Sequence, residues 1–180
     1  MKMHSTMPAT SRVACFVSVA GLLAGCATME TSGPKAQAAL ESRSGSSVTG
    51  TVNFKAAGQK IRVEARVAGL TPGEHGFHVH EAGDCSAPDA SSAKGHFNPA
   101  AKPHGHHGGI ERHAGDMPNL VADSYGNASL SAELDGLALT QGPGGILNRS
   151  VVIHADPDDY RSQPAGNSGK RVACGVIRSL

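Results

Sequence analysis

The chain has 180 residues and a formal charge of +1 at pH 7, which suits one domain preceded by a leader. Its 16 basic and 15 acidic residues nearly cancel, so it lacks the basic excess of a nucleic-acid binder. A charged substrate must be drawn by local charge, not by net charge.

Residues 1–25 read as a signal peptide. Lys2 and Arg12 give a positive start, and Val13–Ala24 is apolar but short for a membrane span. The stretch Leu22-Leu23-Ala24-Gly25-Cys26 resembles a bacterial lipoprotein cleavage box. On that reading Cys26 is the lipidated first residue of the mature chain and its tie to a membrane. The alternative is an ordinary secretory signal cut near Ala27. Either way the mature protein is expected outside the cytoplasm, in the cell envelope or periplasm. Ala27 directly after Cys26 resembles sorting to the outer membrane, in cells that have one. Loss of Lys2 and Arg12 leaves 14 basic against 15 acidic residues, a charge near −1. Residues 26–35 are the lipidated cysteine and a flexible tether, small and polar from Ala27 to Pro34.

Residues 36–180 are read as one domain, and its pattern is mostly period two. Ala36–Leu40, Val48–Phe54, Ile61–Val67, Gly76–His80, Ala128–Leu134, Ser150–His154 and Val172–Ile177 are predicted strands. Ile61–Val67 is the clearest: apolar Ile61, Val63, Ala65 and Val67 alternate with Arg62, Glu64 and Arg66. One buried and one wet face produce that alternation. Breakers such as Ala57-Gly58 and Gly69–Gly73 separate the runs. No 3.6-residue apolar period is sustained outside the leader, so the class is all-β, a sandwich or barrel. Aromatic residues are few, and Val, Ile, Leu and Ala must fill the core.

The stretch Glu81–Asn119 breaks the strand rhythm and is rich in Gly, Pro, Ala and His. A loop that long is commonly functional, and metal coordination could order it in place of apolar packing. Of the ten histidines, eight lie between His75 and His113. Neutral imidazole is the commonest protein ligand for zinc and copper. His78 and His80 sit two apart on a predicted strand, hence on one face. His154 ends another strand and could add a third ligand. His96, His104, His113 and Asp116 follow at spacings of 8, 9 and 3. Three nitrogens and a carboxylate fill a tetrahedral zinc shell with no open position, which points to structural zinc and away from a zinc hydrolase. Cys15 falls in the leader and Cys26 at its end. Cys85 and Cys174 remain, read as one disulfide in an oxidising compartment; two free buried thiols are the alternative.

Gly76-Phe-His-Val-His-Glu81, Gly95-His-Phe-Asn-Pro99, Glu111-Arg-His-Ala-Gly-Asp116 and Arg171-Val-Ala-Cys-Gly-Val176 resemble, in type and order, the signature segments of copper/zinc superoxide dismutases. The match runs from about Ala36 to Ile177. The Cys85-Ser-Ala-Pro-Asp-Ala90 insertion is similar to that of the secreted bacterial members. The resemblance implies an eight-stranded Greek-key β-barrel or sandwich, immunoglobulin-like, with long metal-binding loops. It implies copper on His78, His80, His96 and His154, and zinc on His96, His104, His113 and Asp116. It makes His96 a shared imidazolate, bound through one ring nitrogen to each metal.

By the same resemblance Asp158 links the outer nitrogens of His78 and His104, Arg171 stands at the mouth of the copper channel, and Cys85–Cys174 is the family disulfide. The implied reaction is dismutation of superoxide to O2 and peroxide. Its catalytic residues are Arg171, which docks the anion, and His96, which leaves copper on reduction and takes a proton. His75 matches a structural position. His106 and His107 are extra, and either could replace His104; the distance from His96 favours His104. The segment Asp159–Lys170 is short beside the charged loop of eukaryotic members, which shifts substrate guidance toward Lys170 and Arg171. Subunit contacts differ across the family, so a homodimer is left open. The alternative function is a non-enzymatic copper- or zinc-binding, or copper-delivering, protein of the same fold. Loss of His154 or Arg171 would have favoured it, and both are present.

Overall fold

Ile61–Val67 alternates between interior and solvent along its whole length, as its sequence pattern requires. It lies within β3 (Lys60–Ala68), which pairs with β2 (Thr49–Ala57), which in turn pairs with β1 (Lys35–Ser42). The computed structural model describes residues 1–3 and 33–180. Cys26, the rest of the cleavage box and the apolar leader segment lie outside the described residues. The chain divides into two units, Met1–Thr31 and Ser32–Leu180, and all the strands belong to the second. No helix among the described residues is long and apolar enough to cross a membrane.

The remaining strands are β4 (Gly73–His75), β5 (Phe77–His80), β6 (Leu120–Ala122), β7 (Ala128–Leu134), β8 (Ser150–His154), β9 (Arg171–Val176) and the short β10 (Arg178–Ser179). Every pairing in the sheet is antiparallel, and the order is β4-β6-β7-β3-β2-β1-β9-β8-β5, with β10 alongside β1. The two ends of that order are consecutive in the chain. β4 and β5 are separated only by Gly76, so one interrupted strand pairs with β6 on one side and β8 on the other and nearly closes a barrel. Counted as one, β4 and β5 give the expected eight strands plus β10. The Greek key lies in the step from β3 to β4, which skips over β6 and β7.

Gly76 marks the place where the strand changes partners. A Cβ there would come within 2.7 Å of Ser168, while its N–H donates to Asp156 O and its carbonyl accepts from His154 N, each at 2.8 Å. The interior is filled by Val52, Phe54, Val63, Phe77, Val79, Leu120, Ile146 and Ile153, all at most 1% exposed. Apolar burial of this kind contributes roughly 25 cal/mol per Å² removed from water. β6 has three residues and β4 three, too few to show a period in the sequence. Two long connections leave the barrel on the site side, residues 81–119 between β5 and β6, and 155–170 between β8 and β9.

Candidate metal centre

β5 is buried on both faces. Phe77 and Val79 point into the apolar core, which places His78 and His80 together on the opposite face. β8 pairs with β5 through Phe77 and Ile153, and a register shift at its end delivers His154 beside them. The loop residues are sewn to β5 by backbone bridges, His80 to His96 and His78 to Asp116. Phe97 N donates to Val79 O at 2.8 Å, and Val79 N donates to Gly115 O at 2.9 Å. A Cβ on Gly115 would overlap Val79 O, so this close approach needs glycine.

Two groups of candidate ligands result, each with its ligand atoms within 4.8 Å of one another and every member buried. One is His78, His80, His96 and His154. The other is His96, His104, His113 and Asp116. In the second, Asp116 Oδ1 lies 2.9 Å from His96 Nδ1, 3.1 Å from His104 Nδ1 and 3.2 Å from His113 Nδ1. His96 Nδ1 and His113 Nδ1 are 3.4 Å apart. Bonds of about 2.0–2.1 Å at a tetrahedral zinc put ligand atoms about 3.3–3.4 Å apart, so this set has the size of a zinc shell.

The other ring nitrogens have partners that fix how each ring is turned. His80 Nδ1 lies 2.9 Å from Lys94 O, and His154 Nδ1 lies 3.3 Å from Gly169 O. The free atoms of these two rings meet, Nε2 to Nε2, at 3.4 Å. Asp158 is within 2.8 Å of His78 Nε2 and 2.9 Å of His104 Nε2. Carboxylate and carbonyl acceptors of this kind hold a ligand ring in one orientation and raise its basicity. His78 Nδ1 and His96 Nε2 are left buried with no hydrogen-bond partner, and His104 Nδ1 faces only the Asp116 carboxylate, at 3.1 Å. A buried polar atom without a partner is costly. Metal ions at the two groups would satisfy all three.

The electrostatics agree with the geometry. Burial pushes His80 and His154 well below the ordinary histidine range, helped by neighbouring imidazoles. Burial and His78 lower His96 to about 4. These rings are therefore neutral at physiological pH, the form that binds a metal. Burial alone would lower His104 too, but Asp116 and Asp158 outweigh it and raise it to about 9. Both carboxylates are held below their usual range, because the histidines around them outweigh desolvation.

A family model for copper/zinc superoxide dismutase matches residues 48–177. The chain belongs to the copper/zinc superoxide dismutase family. Copper–zinc superoxide dismutase 2 of Aquifex aeolicus is 46% identical over 123 residues, covering 66% of this chain and 72% of that one. The copper–zinc superoxide dismutase of Deinococcus radiodurans is 43% identical over 145 residues, covering 74% and 79%. Among solved structures, the crystal structure of the clock protein EA4 has a TM-score of 0.75 and 40% identity, covering 83% of this chain and 97% of that one.

Within this dismutase scaffold, Arg171 opens β9 and donates from its two terminal nitrogens to Ala90 O and Lys94 O, each at 2.7 Å. It shares a pocket of about 230 Å³ with His154, Gln163, Ser168 and Gly169. Cys85 and Cys174 form a disulfide, with Cα atoms 5.7 Å apart. His75 stands outside both ligand groups, its ring between His154 O and Thr71 O at 2.8 Å each. His106 and His107 also stand outside them, packed on each other and on Tyr160. Sequence reasoning missed the carbonyls of Ala90, Lys94 and Gly169, because a backbone acceptor leaves no side-chain signal. It also missed Asn119, whose side chain accepts from Asp158 N and donates to Asp158 O, each at 3.0 Å.

Proposed function

We propose that this dismutase works outside the cytoplasm, tied to a membrane by lipid on Cys26. Its copper ligands are His78, His80, His96 and His154; its zinc ligands are His96, His104, His113 and Asp116. The observation that carries the ligand assignment is His96, the one residue common to both groups. Its Nδ1 lies against Asp116, which leaves the buried and unpartnered Nε2 for the other group.

When bound, copper supplies the one-electron redox couple that superoxide dismutation needs, and zinc supplies a fixed charge beside it. The chain's own residues do the rest. Arg171 presents a permanent positive charge at the pocket, and its two carbonyl acceptors keep the guanidinium from swinging away. Nε2 of His96 is the atom at which the chain can hold a proton for delivery to product. Asp158 keeps His78 and His104 turned toward the two ligand groups, and Asn119 keeps Asp158 in place.

The location rests on the leader pattern and on the disulfide, which persists in oxidising compartments. Mass spectrometry of the mature N-terminus from native membranes tests it. A diacylglyceryl group on Cys26 is the expected result. An unmodified N-terminus at or beyond Ala27 would replace the anchor with ordinary secretion.

A further inference from the structure

His104, like His113, stands on a loop with no strand bridged to it. Asp116 and His96 are bridged to β5, and Arg112 braces the segment at His113 by donating to His113 O at 2.8 Å. The peptide of His104 has no backbone partner among the described residues, yet the residue is only 4% exposed. Buried backbone groups must be paired somewhere, and here a single side chain pairs both. His104 N donates to Gln163 Oε1 at 2.9 Å, and Gln163 Nε2 donates to His104 O at 2.9 Å. The carboxamide pairs with the peptide as a neighbouring strand would. Gln163 lies on the β8–β9 connection, the same loop that sends Asp158 to the far nitrogen of the His104 ring. His104 is thus gripped twice from one loop, once by its ring and once by its backbone.

We propose that Gln163 is a positioning residue for zinc. It makes the backbone of His104 part of a preformed site, so that the metal does not have to order the loop as it binds. The proposal rests on the reading of His96, His104, His113 and Asp116 as the zinc ligands. Residues outside the ligand set that orient ligands typically cost 10–100-fold in metal affinity when removed. Gln163 acts on the backbone of one ligand and is solvent-exposed itself, which sets its expected effect near the lower end, about tenfold.

The test compares the wild-type protein with Gln163→Met, which keeps the bulk and removes both hydrogen bonds, and Gln163→Glu, which keeps the acceptor and removes the donor. Zinc release to a coloured chelator is timed, and cobalt(II) placed at the zinc group reports ligand geometry through its visible spectrum. Gln163→Met should release zinc about tenfold faster and change the cobalt spectrum, and Gln163→Glu, whose second oxygen would face His104 O with no hydrogen between them, should do so at least as strongly. A purely structural role would lower the unfolding midpoint without moving the cobalt spectrum. Unchanged release and spectrum in a folded Gln163→Met protein would overturn the proposal alone. A wild-type chain that takes up no zinc would overturn the ligand reading with it.

Discussion

Gly166 lies flush against the carboxylate of Asp158. A Cβ built on it would overlap Oδ1 of Asp158 and come within 2.8 Å of His104 Nε2, and its φ of 67° is one that L residues rarely adopt. Glycine is required here twice over, by conformation and by space. Gly166→Ala should push Asp158 off His78 and His104. The expected loss of zinc affinity is about 10–100-fold, read by competition with a chelator. Retention of wild-type zinc affinity would mean that the two rings do not depend on Asp158.

Zinc uptake by the metal-free protein should depend on pH through His104. Its pKa of about 9 in the folded chain lies above the ordinary value of about 6.5. A raised pKa stabilises the metal-free fold fully below the unfolded value, and that contribution is lost as pH rises through 9. Zinc must displace this proton from Nδ1. Apparent zinc affinity should therefore climb about tenfold per pH unit below about pH 9 from this group and level off above that. Calorimetry in buffers of different ionisation enthalpy would count the released proton. A flat affinity and no proton release at pH 7.5 would contradict the reading.

Lys94 has φ 63° and ψ −150°, a region left almost entirely to glycine and costing other residues about 1–3 kcal/mol. That conformation delivers one carbonyl to both His80 Nδ1 and Arg171. Lys94→Gly should stabilise the metal-free protein by about 1 kcal/mol once glycine's greater freedom when unfolded is subtracted. Urea unfolding measures it, and a destabilised variant would show that the lysine side chain contributes more than its backbone costs.

The disulfide spans 89 residues of sequence, and a loop of that length constrains the unfolded chain by about 4–5 kcal/mol in the chain-entropy model. Around Cys174 pack Ala90 and Ala93, the turn that offers an acceptor to Arg171. Replacing both cysteines with serine should lower stability by several kcal/mol, seen as an earlier urea midpoint. It should also weaken anion binding at the copper site. A variant that lost stability but kept its affinity for azide would separate the disulfide from the pocket.

Much of this was legible in the sequence, because the candidate ligands are side chains with fixed spacings. All seven predicted strands overlap observed ones, and Ile61–Val67 is the sharpest, since one of its faces is wet. β6 was not legible: three residues are shorter than a pattern. Closure at Gly76 was hidden because β4, three residues next to the Gly69–Gly73 breaker, was also too short to show a pattern. His104 and not His106 or His107 stands in the cluster, the choice that its distance from His96 favoured. Gln163 and Gly166 were invisible for a different reason. A glutamine in a polar loop and a glycine in a glycine-rich one are ordinary until the fold brings His104 and Asp158 against them.

Superoxide decay measured by stopped flow tests the central claim most directly. The soluble chain from Ala27 would be loaded with one copper and one zinc per chain. Near diffusion-limited decay, abolished when copper is chelated, is the predicted result. Full occupancy of both metals with decay no faster than a copper-free control would contradict the account and leave a metal-binding protein with a dismutase fold.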